Sequence, residues 1–154
     1  MYIWTVFLHT VVRWFVIAAG VVAVYRALAG RSSRRPWGFG DGAAGLAFTA
    51  FLDAQLVVGT ALFLRSPITI LGTHELALGV KSSILRFYTF EHPIVMAAAI
   101  LLANVACVRI WRERDSLVRH RHASIFFGLA LLLVLAGTPW PFLPYGRPLL
   151  SMLQ

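Results

Sequence analysis

Four long apolar runs alternate along the chain with shorter stretches in which arginine, glycine and proline collect. The runs cover residues 3–24, 42–64, 93–110 and 123–142, each close to the roughly 20 residues that a helix needs to cross a bilayer. The pattern predicts an all-α fold, an antiparallel four-helix transmembrane bundle that takes up residues 1–154 as a single domain. Between the first two runs, RSSRRPWGFGDG at 31–42 cannot continue a helix through Pro36 and its glycines. Residues 65–91, the longest connection, contain apolar pieces at 68–71 and 76–80 that are too short to span. The expectation there is an amphipathic segment lying in the membrane interface between spans two and three. Pro93 suits the first helical position of span three, with Glu91 and His92 at its mouth. Pro139, Pro141 and Pro144 end the fourth helix and lay an aromatic cap over the outer mouth.

Composition agrees with this pattern. With 59% hydrophobic residues and a mean hydropathy of +0.77, almost nothing is left for a soluble domain. The first run has no basic start and carries Arg13, unlike a secretory signal core, so it is read as retained. The single cysteine, Cys107, excludes an intramolecular disulfide and reads as a small packing residue.

The net charge of +8 changes the picture only once it is mapped. Arg26, Arg31, Arg34 and Arg35 fall between spans one and two, and Arg109, Arg112, Arg114, Arg119 and Arg121 between spans three and four. Both loops lie on one side of an even-numbered bundle. Short basic loops stay cytoplasmic, so both termini are expected to be non-cytoplasmic. The charge therefore reports orientation and contact with anionic lipid, not nucleic acid.

Polar residues inside the apolar runs carry the candidate chemistry. His9 and Arg13 sit one turn apart on one helical face, and a charge at such depth costs at least ~2.5 kcal/mol unless it is answered. Asp53, on the inward face of span two, lies at a comparable depth, roughly 16 Å against roughly 13 Å for Arg13. A structural ion pair between Arg13 and Asp53 is expected, with a proton or quinone site as the sharper alternative. Gln55 points nearly the other way, toward a different neighbour.

Taken together, HTVVRW, DAQLVVGTALFLRSP, RFYTFEH, RHRHASIFF and TPWPF with a later RPLL resemble a group of small four-helix bacterial membrane proteins often labelled cytochrome b-like. The resemblance covers most of the chain in the same order, while the stretch 70–81 with His74 departs from it. It implies a bacterial inner-membrane protein and points to His9, Arg13, Trp14, Asp53, Gln55, Arg86, Glu91, His92, His122 and Arg147.

A b-type haem needs two axial ligands on different helices at similar depth, with polar or basic groups for its propionates. His9 and His92 lie on the same side of the membrane, with Arg13, Arg86 and Arg147 as candidate cofactor-binding groups. Their offset is the difficulty: His9 counts as roughly 7 Å inside while His92 falls near the boundary. Met96 is another possible ligand. A copper, zinc or iron centre would use His9, His92 and a carboxylate from Glu91 or Glu75, although the spacing fits no metal motif; Gln55 and Glu91 complete the expected polar pocket. His120 and His122, in a run of arginines, read as solvated or lipid-bound rather than as a second haem site.

The function expected from this reading is a small haem-b-binding protein for electron transfer, or an accessory subunit of a respiratory or photosynthetic membrane complex. The alternative is a cofactor-free structural subunit, in a larger complex or a homo-oligomer, whose polar residues fix packing and docking. An enzyme working on a quinone or lipid is a third reading.

Overall fold

The computed structural model describes residues 2–146. Helix α1 (Tyr2–Ser32) is followed by α2 (Phe39–Phe63), two short helices, α3 (Pro67–His74) and α4 (Leu76–Lys81), and then α5 (Ser83–Arg86). A π-helical turn over Phe87–Glu91 joins α5 to α6 (His92–Arg112), and α7 (Ser116–Ala136) completes the bundle. Four helical stretches are long and apolar enough to cross a membrane, Tyr2–Ser32, Phe39–Phe63, Ser83–Arg112 and Ser116–Ala136. The chain is thus a multi-pass membrane protein with an all-α bundle. Helix α1 packs against α2 and α7, and α6 packs against α7 and, less extensively, α2. Helices α1 and α6 consequently face each other across a diagonal.

The third span begins at Ser83, ten residues before the expected start. Ser82 caps it, its hydroxyl accepting from the Leu85 N–H. Pro93 is therefore an interior proline, and the π turn just before it makes this possible. The His92 N–H reaches back to the Phe87 carbonyl, widening the turn where a proline ring would otherwise strike the carbonyl four residues earlier.

The loops at 33–38 and 113–115 share one end of the bundle, called the basic end below. Packing is tightest toward it. Phe48 and Phe127 are buried and meet edge to face at 5.8 Å. Small residues admit them: a Cβ on Gly20 would stand 2.8 Å from Phe48, and one on Gly45 2.7 Å from Phe127. Buried alanines at 99, 103 and 106 line the α6 side. This is how membrane helices gain contact where burial from water contributes nothing between them.

An acidic anchor closes the basic end. The buried Asp41 carboxylate accepts two bonds from the Arg35 guanidinium, each 2.6 Å, and one from Arg26 Nε at 3.1 Å. It also accepts from the Gly38 N–H at 2.9 Å, at the start of its own helix. These charge-assisted bonds tie the end of α1 to the beginning of α2.

Candidate functional site

Beyond Val16, Leu52 and Val134 the packed core gives way to a cavity of about 360 Å³ between α1, α2 and α6, with the end of α7 as its floor. Its walls are mainly apolar, and His9, Arg13, Gln55, Tyr88 and His92 bring polar groups to it. It reaches the surface between α2 and α6, near the exposed Leu56 and Ala97. Convergent polar groups in an apolar cleft are the usual form of a small-molecule site.

His9 comes from α1 and His92 from the diagonally opposite α6, with ring centroids 6.3 Å apart and planes at 66°. The depth offset expected between them disappears because the third span starts at Ser83. Counted from the observed starts at Tyr2 and Ser83, His9 lies seven and His92 nine residues inside, roughly 10 and 14 Å. His92 Nδ1 lies 2.8 Å from the Gly137 carbonyl. A carbonyl oxygen can only accept, so Nδ1 carries the proton and Nε2 holds the ring's lone pair. Gly137 allows this approach, since a Cβ there would collide with the Met96 Cε. Tyr88 is held by its hydroxyl, which donates to the Tyr145 carbonyl at 2.8 Å, while Phe87 stacks on the Tyr145 ring at 3.8 Å. Trp140 Nε1 bonds the Leu135 carbonyl at 2.9 Å. The aromatic segment after α7 therefore folds back over the start of the third span, as its prolines lead one to expect.

Helix α2 brings Gln55 to the cavity. Gln55 Nε2 donates to the His9 carbonyl at 2.8 Å, so Gln55 faces α1 and the cavity. Its Oε1 is buried with no hydrogen-bond partner among the described residues. Two positions earlier, at 200° around the helix, Asp53 accepts from Asn104 Nδ2 at 3.1 Å. Arg13–Asp53 is not among the ion pairs of the described residues. Arg13 lines the cavity with its guanidinium 5.6 Å from the Trp14 ring, and Asp53 joins α2 to α6.

Arg86 and Glu91 also lie elsewhere. Arg86 Nε bonds Glu91 Oε1 at 2.7 Å, both side chains remaining close to half exposed. They make a surface pair across the π turn and do not line the cavity. Arg147 lies outside the described residues. No three His, Cys, Asp or Glu side chains converge as a metal-ion set among the described residues. The mixed centre with Glu91 or Glu75 is therefore not assembled. His74 is exposed at the end of α3. His120 is fully buried beside Trp37, 4.8 Å away, in space that Gly30 leaves open at the basic end. Cys107 packs against Thr49, Sγ to Oγ1 3.2 Å.

The donor chemistry that remains is a pair of imidazoles. Two such rings bound to one metal, each through a bond of about 2 Å, bring their centroids to about 6 Å apart. The 6.3 Å between His9 and His92 fits that arrangement. Thr10, buried beside His9, and Tyr88 were missed by sequence reasoning; Thr10 had a signal in its adjacency to His9, whereas Tyr88 enters only through the π turn. No protein-family model, curated protein or solved structure matches the chain.

Proposed function

We propose that this is a small haem-b-binding protein of the bacterial inner membrane, in which His9 and His92 would hold the haem iron and both termini lie on the non-cytoplasmic side. The facing of these two imidazoles across the bundle diagonal, 6.3 Å apart, is the observation that carries the reading. The orientation rests on the basic loops at the opposite end, and the bacterial membrane on the resemblance described above.

Each residue has a part in holding such a group. The Gly137 carbonyl fixes the tautomer of His92 and aims its Nε2, the outer hydrogen bond that ligating histidines generally require. Gln55 holds the His9 segment of α1 against α2. Arg13, in the cavity wall, offers a cation to an anionic substituent. Haem b in this setting supplies one-electron transfer, consistent with a redox role alone or as a subunit of a respiratory or photosynthetic complex.

The test is an absorption spectrum of protein produced with ample haem, before and after dithionite. The expected result is a Soret band that shifts on reduction and is lost in both His9→Ala and His92→Ala, while Arg86→Gln keeps it. Absence of the band in the parent protein ends this reading.

A further inference from the structure

A second opening lies at the basic end, an open groove of about 510 Å³ between α6 and α7. Arg109, Arg112 and His122 stand at its mouth and Val105 and Val108 along its length. Residues 105, 108, 109 and 112 share one face of α6 by helical spacing. Both Arg109 and His122 approach Phe126, the guanidinium at 5.5 Å and the imidazole at 6.3 Å from its ring. His122 Nδ1 is buried without a hydrogen-bond partner among the described residues.

The charges of this groove are differently placed from those around Asp41. Arg26 and Arg35 share a buried carboxylate, whereas neither Arg109 nor Arg112 is in an ion pair among the described residues. Glu113 is the one carboxylate on the groove wall, and its Oε1 already accepts from the Arg114 and Asp115 N–H groups at 2.8 and 3.0 Å. Those N–H groups, Asp115 foremost, hold the Glu113 carboxyl below its ordinary value and shape the turn into α7. Two guanidinium groups and an imidazole thus share the groove with one carboxylate, Glu113, whose Oε1 is taken up by the turn, and the groove stays net positive.

We infer that this groove binds the phosphate of an anionic phospholipid, with an acyl chain lying along Val108, Val105 and Leu101. Guanidinium forks match phosphate oxygens, and basic pockets between membrane helices on the cytoplasmic side suit anionic headgroups. A strip of exposed apolar helix leads away from Arg112 through Val108 to Leu101, roughly 16 Å along α6. A soluble phosphate compound would use the arginines and leave this strip bare. A lipid uses both.

The test is native mass spectrometry of the full chain in detergent, titrated with phosphatidylglycerol or with phosphatidylcholine of the same acyl chains. Phosphatidylglycerol should bind the parent more tightly, and Arg109→Gln with Arg112→Gln should weaken it about thirtyfold, from the loss of two surface cations. Arg31→Gln, which removes a cation at the end of α1, should change it by less than about twofold. A thermal melt confirms that the double variant still folds. Equal binding of phosphatidylcholine, retention of phosphatidylglycerol by the double variant, or an equal loss in the Arg31 variant each overturns the assignment. Displacement of the lipid by millimolar inorganic phosphate also overturns it, because the apolar strip would then contribute nothing.

Discussion

Toward the basic end the four spans close on one another: Gly20 and Gly45 admit Phe48 and Phe127, and Asp41 gathers two arginines at the turn. Toward the other end the same spans part around His9, Arg13 and His92 and enclose about 360 Å³. Residue choice accounts for the contrast. Where the first half spends its inward positions on glycine, alanine and phenylalanine, the second spends them on groups that need polar partners. One half is closed by its own packing, and the other leaves a space that its polar groups line.

This division can be broken most forcefully in the packed half. Phe127→Ala removes a buried ring from its contacts with Phe48 and the Gly45 surface and should lower stability by about 3 kcal/mol. A thermal or denaturant melt in detergent checks it. Leu56→Ala, on the cavity wall and already about half exposed, should cost no more than ~0.5 kcal/mol in the same melt. Comparable losses at the two sites would remove the distinction between the halves.

Asp41→Asn comes next. The substitution keeps the shape but leaves Arg26 and Arg35 without the carboxylate they share. A fully buried pair broken this way loses 3–5 kcal/mol, yet both arginine side chains are more than a third exposed, so about 2 kcal/mol is expected. Arg35→Lys should show part of the loss, because an ammonium cannot make the paired bonds to both oxygens. Neither change should alter ligand binding at the far end, which a spectrum of the haem-loaded protein would read.

Gly137→Ala sharpens the comparison from the other side. A methyl group there collides with the Met96 Cε and stands 3.0 Å from Val95, displacing the carbonyl that holds His92 Nδ1. The expected stability loss is about 1 kcal/mol. The informative change is spectroscopic: the Soret band of haem-loaded protein should weaken or shift, while the melt moves little. A large fall in stability with an unaltered spectrum would mean that Gly137 serves packing and not the histidine.

The sequence made the four spans legible, because twenty-residue apolar runs have few alternatives and the arginines mark their turns. His9, His92 and Arg13 were legible too, as rare polar groups in those runs. The partners were harder to read. The π turn at Phe87–Glu91 leaves no mark on hydrophobic periodicity, so Pro93 read as a helix start and His92 as too shallow. Asp41 was not singled out from the 31–42 connection, although an acid in the first turn of a helix after a basic stretch is a recognisable anchor. The partner of Asp53 was not legible because helical spacing gives relative directions and not the absolute rotation of α2. That rotation is decided by packing, by Phe48 and Leu52 seeking the core.

The smallest predicted effect bears on that rotation. Two opposite charges forming one buried pair are strongly coupled, so removing the second after the first costs far less than removing it alone. Here Asp53 bonds Asn104 while Arg13 faces the cavity from α1. The double-mutant cycle of Arg13→Gln and Asp53→Asn, followed by thermal melts, should therefore give a coupling within about 0.5 kcal/mol of zero. Asp53→Asn with Asn104→Ala should couple more strongly, because those two side chains share the bond. A coupling of 2 kcal/mol or more between Arg13 and Asp53 would mean that α2 is turned the other way in the membrane. Gln55 would then leave the cavity, and the His9 segment would lose the contact that holds it opposite His92.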